Sequence, residues 1–191
     1  MYQKYQTDTL VLRSYERGEA DRIYALFTRE FGLVWARATA VRRENSRQRY
    51  ALQSGSRSMV SLVRGHKGWR VAGATAIEQL DMRKVSGVHA FTRISALLER
   101  LGGGEEPNSY LFDTLVHAYA SLMREGAELH PVIELVTVAR MLFALGYLSQ
   151  DAFGTALFAE TAYTEAGLRE VQGVRSQVLA SVNKSLSETQ L

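Results

Sequence analysis

The hydrophobic pattern of this chain changes its period near residue 85, and that change limits the folds that the sequence can adopt. Before residue 85, apolar residues occur in short β-branched and aromatic stretches separated by turn residues, as is typical of strands. After it, they recur about every 3.6 positions, as is typical of amphipathic helices. We therefore predict an α+β chain, strands first and helices second, with domains at residues 1–82 and 83–191.

The first domain contains five predicted strands, at residues 9–15, 23–28, 33–42, 58–64 and 69–78. The last two flank Gly65, His66, Lys67 and Gly68, a glycine-bounded loop that suits a hairpin. The longest connection follows the third strand. Five short strands with one long excursion favour a closed OB-type barrel.

The second domain is predicted to be helical throughout. Gly102, Gly103 and Gly104 end its first helix, a second runs to about Arg124, and Pro131 opens a third. Asp151 is a candidate cap for a helix that carries Phe153. Valines at regular spacing from 171 to 182 predict one final helix.

Several classes of protein and site are excluded or disfavoured by the composition. The chain has no cysteine, which excludes disulfides, a thiolate nucleophile and cysteine-ligated zinc. Its four histidines lack zinc-helix spacing, and no nucleophile elbow is present, so we expect no metal, cofactor or catalytic residue. No apolar run approaches the roughly 18 residues of a membrane span, and the first residues lack a signal-peptide pattern. These features predict a cytoplasmic protein that is not an enzyme.

Positive charge is concentrated in the first half of the chain. Residues 1–84 contain 16 Lys or Arg against 8 Asp or Glu, whereas residues 85–191 contain 7 against 12. Such asymmetry indicates a polyanionic partner for the first domain, although a merely solvated basic surface would give the same composition.

The stretch from residue 37 to residue 70 is the most basic part of the sequence, with nine Lys or Arg and Glu44 as its one acid. Trp35 and Arg37 share a face of the third strand by two-residue alternation. Arginine binds phosphate as a planar fork, and exposed rings stack on unpaired bases, so this composition suits single-stranded nucleic acid. Trp69 is a further aromatic candidate. For each of these rings the alternative is a place in the barrel core, and for Trp69 we favour that alternative because large rings usually fill small barrels. The predicted DNA-binding residues are Trp35, Arg37, Arg42, Arg43, Arg47, Arg49, Tyr50, Arg57, Arg64, Lys67 and Arg70.

The first half of the chain resembles the opening of RecO proteins, in which an apolar strand precedes an acidic and arginine-bearing connector. The matching pieces are residues 10–13, then Glu19, Asp21 and Arg22, then residues 26–32, then the basic continuation through residue 53. In the helical half the likeness is one of layout, with Leu111, Phe112 and Leu115 and then Leu145, Gly146 and Tyr147. Many relatives place a four-cysteine zinc site shortly after that leucine, glycine and tyrosine, which this chain cannot form.

The resemblance implies a recombination mediator in DNA repair that binds single- and double-stranded DNA and anneals complementary strands. It also implies cooperation with RecR and single-strand-binding protein in loading RecA, at the bacterial nucleoid, as a monomer or weak oligomer. The alternative is an adaptor without enzymatic activity, whose basic barrel docks an acidic protein segment. A hydrolase acting on DNA would need metal-binding carboxylates in a recognisable arrangement, which the sequence does not show.

Overall fold

The computed structural model describes residues 3–43, 46, 48–102, 104–149 and 156–189. The chain divides into two compact units. The first comprises Met1–Leu80 together with Gly102–Asn108, and the second comprises Asp81–Leu101 and Ser109–Leu191. The segment between the first two long helices therefore belongs to the strand-containing unit.

The first unit is a closed five-stranded barrel, as the sequence predicts. Its strands are β1 (Lys4–Arg17), β2 (Asp21–Thr28), β3 (Gly32–Ala38), β4 (Arg57–Gly65) and β5 (Gly68–Glu78), with a one-turn helix α1 (Gln48–Ala51) between β3 and β4. The strand order is β1-β2-β3-β5-β4, in which β3 and β5 are parallel and the other pairs are antiparallel. This closed Greek-key arrangement is that of the OB fold.

The first strand closes the barrel by pairing with two neighbours. Its first half pairs with β4 and its second half with β2, and the register against β2 shifts between Val11 and Arg13. A bulge at Leu12 bends the strand and increases its twist, which is how a strand serves two sides of a barrel.

Alternating side chains fill the barrel. Val34, Ala36 and Ala38 of β3 point inward, whereas Trp35 and Arg37 between them are exposed. The period-two pattern of the sequence therefore assigned the faces of β3 correctly. The barrel core comprises Val11, Tyr24, Leu26, Val34, Ala36, Ala38, Val41, Leu52, Val60, Leu62, Trp69 and Val71.

The third strand ends at Ala38, four residues before its predicted end. Ala40 adopts a left-handed conformation (φ 55°), and its N–H donates to Asp21 Oδ1 at 2.9 Å. This conformation is costly for a residue with a Cβ, so the hydrogen bond helps to hold the turn. The chain there leaves the sheet and crosses the β1–β2 turn, where Arg42 N donates to the Ala20 carbonyl at 3.2 Å.

The second unit is helical, as predicted, and its first three long helices carry the expected buried faces. The prediction of one final helix is wrong, because two helices meet at Val174. Val174 is exposed, whereas the other three valines of the pattern, Val171, Val178 and Val182, are buried. Asp151 and Phe153 lie outside the described residues. The helices are α2 (Val85–Leu101), α3 (Ser109–Arg124), α4 (His130–Ala144), α5 (Ala156–Ala159), α6 (Glu165–Gly173) and α7 (Arg175–Glu188). Across the described ranges, no helix combines the length and the apolar character that crossing a membrane requires.

Helix α4 contacts all the other helices of its unit, which explains why it is buried on nearly every side. Its Arg140 is 5% exposed and donates to the backbone carbonyls of Leu157, Thr161 and Ala162 at 2.9–3.2 Å. The guanidinium also lies 4.8 Å from the centroid of the Tyr163 ring. Arg140 thus ties the segment after α5 to the central helix.

The wild type should lose folding stability at alkaline pH because Tyr163 is buried as a neutral phenol. Replacing Tyr163 with phenylalanine should remove this loss. Thr137 Oγ1 gives its proton to the Ile133 carbonyl (2.6 Å), so the Tyr163 hydroxyl must be the donor in its 2.7 Å bond to Thr137. Burial accordingly raises the pKa of Tyr163 to about 12. Because the unfolded phenol ionises near pH 10, the wild type loses up to about 3 kcal/mol as the pH rises from 10 to 12.

Y163F lacks this ionisation and should lose only about 1 kcal/mol at neutral pH, from the missing hydrogen bond. Urea unfolding followed by circular dichroism at pH 8 and pH 10.5 measures the gap, which is the difference in the free energy of unfolding between the wild type and Y163F. The gap should shrink at the higher pH, and a constant gap would contradict this assignment of the proton.

Candidate nucleic-acid interface

The outer wall of the barrel carries a row of side chains that crosses four strands. Tyr15 of β1 pairs with Ile23 of β2, Ile23 pairs with Arg37 of β3, and Arg37 pairs with Arg70 of β5. Directly paired residues share a face, so Arg37 and Arg70 lie side by side across the parallel pair. Arg70 is exposed. The wall therefore presents two neighbouring guanidinium groups from strands that are far apart in sequence.

A second row lies next to the first and contributes a large ring. Arg13 pairs with Ala25, and Ala25 pairs with Trp35, whose side chain is 45% exposed. The Trp35 and Tyr15 rings are 5.6 Å apart, and the Arg13 guanidinium lies 5.0 Å from the centroid of the Tyr15 ring. We name these five side chains, Arg13, Tyr15, Trp35, Arg37 and Arg70, the basic-aromatic strip.

Asp21 holds Arg37 in position on this wall. Arg37 Nε donates to Asp21 Oδ2 at 3.0 Å and its Nη2 donates to the same oxygen, which leaves Nη1 outside the pair. The Ala40 N–H and then the Arg37 side chain hold the pKa of Asp21 below its ordinary value of 3.8. Asp21 is thus an ionised partner that orients the guanidinium.

Other predicted residues lie at the edges of the barrel. Arg42 bonds the β1–β2 turn through the Gly18 carbonyl (3.4 Å) and pairs with Glu16 at 3.4 Å. Arg43, Arg49 and Tyr50 are exposed in the β3–β4 connection, and Lys67 is exposed in the β4–β5 turn. Arg47 lies outside the described residues.

Two predicted arginines lie on β4, which is not a neighbour of β3. The Arg57 side chain is only 24% exposed and donates to both carboxylate oxygens of Asp8 at 2.6–3.2 Å. Arg64 pairs with Glu105 at 3.2 Å and lies 5.2 Å from the centroid of the Trp69 ring. The structure therefore brings Arg37 and Arg70 together but does not gather all nine basic residues of the 37–70 stretch on one wall.

Trp69 belongs to the barrel core, which is the place that the sequence analysis favoured for it. It is 4% exposed, and its ring contacts those of Tyr5 and Phe31 at 5.9 and 5.1 Å. Stacking on a base would require the barrel to open, so Trp35 is the tryptophan that is available at the surface.

Sequence reasoning missed Arg13 and Tyr15 as members of the basic-aromatic strip. The alternation along β1 could have placed Arg13 and Tyr15 on one face, but the bulge at Leu12 reverses the alternation midway along the strand. Only the register of β1, β2 and β3 shows that they adjoin Trp35. Within the part of the chain that the structure describes, no three His, Asp or Glu side chains are grouped so as to hold a metal ion.

A closed barrel of this strand order, with an exposed basic and aromatic wall, defines an OB-fold protein. The model of the family "Recombination protein O N terminal" matches residues 1–79. DNA repair protein RecO of Pelotomaculum thermopropionicum is 32% identical over 127 residues, which are 65% of this chain and 50% of that protein. By these matches, the barrel unit of the chain is similar to the N-terminal domain of RecO proteins.

Shorter matches point to the same family. Proteins named DNA repair protein RecO from two strains of Desulfitobacterium hafniense are each 51% identical over 49 residues, 26% of this chain and 18% of those proteins. The chain thus spans half the length of its relative from Pelotomaculum, and the matches to the other two are shorter still.

Proposed function

We propose that this chain is a DNA repair protein without enzymatic activity, which binds single- and double-stranded DNA through its barrel and anneals complementary strands. The observation that carries the proposal is the basic-aromatic strip, in which Trp35 is exposed between guanidinium groups on one wall. Arginine forks bind phosphate oxygens in either form of DNA. An exposed ring stacks on bases only where they are unpaired, for about 1–3 kcal/mol each.

The proposed contacts extend from the strip to the exposed basic residues at the barrel edges, Arg42, Arg43, Arg49 and Lys67, with Tyr50 as a second stacking ring. Arg57 has a structural role in this proposal because Asp8 already binds its fork in a half-buried pair. Arg64 is placed at the margin, since its guanidinium is shared between Glu105 and Trp69.

The relatives' name extends the proposal to the cell, where the chain would act in DNA repair at the nucleoid, within the cytoplasm. Cooperation with RecR and single-strand-binding protein, and assistance in loading RecA, form the finer part of the proposal. An annealing assay with complementary oligonucleotides coated by single-strand-binding protein tests this part. We expect the chain to accelerate annealing and RecR to change the rate further. An annealing rate that the chain leaves unchanged would contradict this finer part of the proposal.

Single-strand binding should weaken steeply as salt rises. If about five phosphates are neutralised, the logarithm of affinity should fall with the logarithm of salt concentration with a slope of about −3.5. Fluorescence anisotropy of a labelled dT oligonucleotide, measured between 50 and 300 mM NaCl, gives the slope.

Undetectable binding at the lowest salt would end the proposal. Polyglutamate of matched charge is the comparison, because a surface that recognises charge alone would bind it equally well. Equal affinity for polyglutamate and dT would favour an adaptor that docks acidic protein segments.

A further inference from the structure

A cavity of about 470 Å³ opens at the end of the barrel where β1 and β2 form their turn, within the first unit. We name it the mouth cavity. Its volume falls within the range of about 300–1,000 Å³ that is usual for small-ligand sites. It is lined by Ser14, Arg22, Tyr24, Val41, Arg42, Arg49, Leu52, Gln53 and Ser54.

Three of these lining residues are arginines and none is acidic. Glu16 lies at the rim and pairs with Arg22 at 3.5 Å and with Arg42 at 3.4 Å. One carboxylate is thus shared between two guanidinium groups. The three arginines and Glu16 together keep an excess of two positive charges. Arg49 forms no ion pair with any residue that the structure describes.

Arg22, one of the lining residues, has a buried donor without a partner. Its Nη1 donates to Ser14 Oγ at 3.1 Å, but its Nε is buried and no acceptor among the described residues reaches it. A buried N–H without an acceptor costs about 1–3 kcal/mol, so a position that keeps one is a candidate for binding an anion.

The backbone that leads into the cavity wall is also strained. Ala40 is the one residue other than glycine, among those described, with a positive φ, and its turn directs the following Val41 and Arg42 toward the cavity. Strained backbone of this kind is found at binding sites, where the surrounding contacts keep it in place.

We propose that the mouth cavity binds a phosphate group of a DNA strand, held by Arg22, Arg42 and Arg49. This inference rests on the proposed function and adds a defined anchoring site to it. Guanidinium forks match the oxygens of phosphate, and an excess of two positive charges complements a terminal phosphate, which carries nearly two negative charges at neutral pH, better than it does a single carboxylate. An internal phosphodiester carries one negative charge, and for it the match rests on the guanidinium forks. The β1–β2 turn lies between the cavity and the basic-aromatic strip, because Arg42 binds the Gly18 carbonyl of the turn and Asp21, which follows the turn, binds Arg37.

The test uses the full chain and three dT oligonucleotides that carry a 5′-phosphate, a 3′-phosphate or no terminal phosphate. The variants are R49Q, which breaks no ion pair with a described residue, and R42Q, which breaks the pair with Glu16 and the bond to the Gly18 carbonyl and is checked for an unchanged Tm. The matched control is R175Q, which removes an exposed arginine from α7 in the other unit.

If the cavity takes a terminal phosphate, one phosphorylated oligonucleotide should bind the wild type about 10-fold more tightly than the unphosphorylated one. R49Q and R42Q should lose this preference. If it takes an internal phosphate, all three oligonucleotides should bind equally, and each should lose about 5- to 10-fold in R49Q and R42Q. In both cases inorganic phosphate should raise the Tm of the wild type, relative to chloride and acetate at equal ionic strength, and R49Q should abolish that rise.

Oligonucleotide binding by R49Q and R42Q equal to that of the wild type and of R175Q, together with no effect of phosphate on Tm, would overturn the inference. That result would leave the proposed function standing if substitutions in the strip still weakened DNA binding. Loss of all oligonucleotide binding by the wild type would instead end the proposed function, whatever inorganic phosphate does.

Discussion

Reversing the charges of Arg37 and Arg70 together should weaken single-strand binding by about 100-fold at low salt. The two side chains are neighbours across the parallel β3–β5 pair, so both reversals act on the same part of a bound strand. Each reversal replaces an attraction to phosphate by repulsion, for which we expect about tenfold, or 1.4 kcal/mol. The slope of affinity against salt should also flatten by about 1.4, since two contacts disappear.

A new glutamate at position 37 would lie beside Asp21 and would disturb the turn at Ala40 that Asp21 holds. The milder R37Q/R70Q variant removes both positive charges without adding a negative one, so it separates the loss of contacts from misfolding. It should lose about tenfold in affinity. R169E/R175E is the matched control, since it makes the same change in net charge at exposed positions of α6 and α7. If this control weakened binding as much as R37E/R70E did, net charge rather than the strip would explain DNA binding.

Replacing Arg140 with methionine should destabilise the helical unit by about 3–5 kcal/mol. The substitution keeps much of the side-chain volume but leaves the carbonyls of Leu157, Thr161 and Ala162 without their donors in a part-buried site. The lost hydrogen bonds of a charged donor contribute about 1.5–3 kcal/mol each at most, and the contact with the Tyr163 ring is lost as well. For a unit of about 100 residues, we expect Tm to fall by about 10 °C or more.

Two spectroscopic probes separate the units in this experiment. Both tryptophans of the chain, Trp35 and Trp69, lie in the barrel unit, whereas most of the helical circular dichroism comes from the other unit. The dichroism transition of R140M should therefore shift much more than the tryptophan fluorescence transition. R93M is the control, because its pair with Glu134 is largely exposed and should contribute at most about 1 kcal/mol. Equal effects of R140M and R93M would contradict the structural role assigned to Arg140.

The sequence was sufficient to predict the barrel, the helical unit and the shared face of Trp35 and Arg37. Those features follow from local periodicity, because a period of two residues predicts a strand and a period of 3.6 residues predicts an amphipathic helix. The end of β3 was not predictable in this way. It depends on the bond between Asp21 and the Ala40 N–H, which joins residues 19 positions apart.

The composition of the site also depends on pairing between distant strands. Nothing local to residues 37–70 indicates that Arg57 faces Asp8, or that Arg13 and Tyr15 complete the wall beside Trp35. The bulge in β1 and the parallel β3–β5 pair set these neighbours, and both are properties of barrel closure. A basic stretch in the sequence therefore located the unit that carries the site but not all of its members.

Tryptophan fluorescence during titration with a dT oligonucleotide tests most directly whether the outer wall binds an unpaired strand. Trp35 is exposed and Trp69 is buried, so base stacking should quench wild-type emission while the W35F variant, which retains only Trp69, stays unchanged. W35A, which removes the ring altogether, should bind the oligonucleotide about 5- to 100-fold more weakly, as expected for the loss of one stacked base. Tight binding with no quenching in the wild type, or undiminished quenching in W35F together with undiminished affinity in W35A, would show that the strand binds elsewhere.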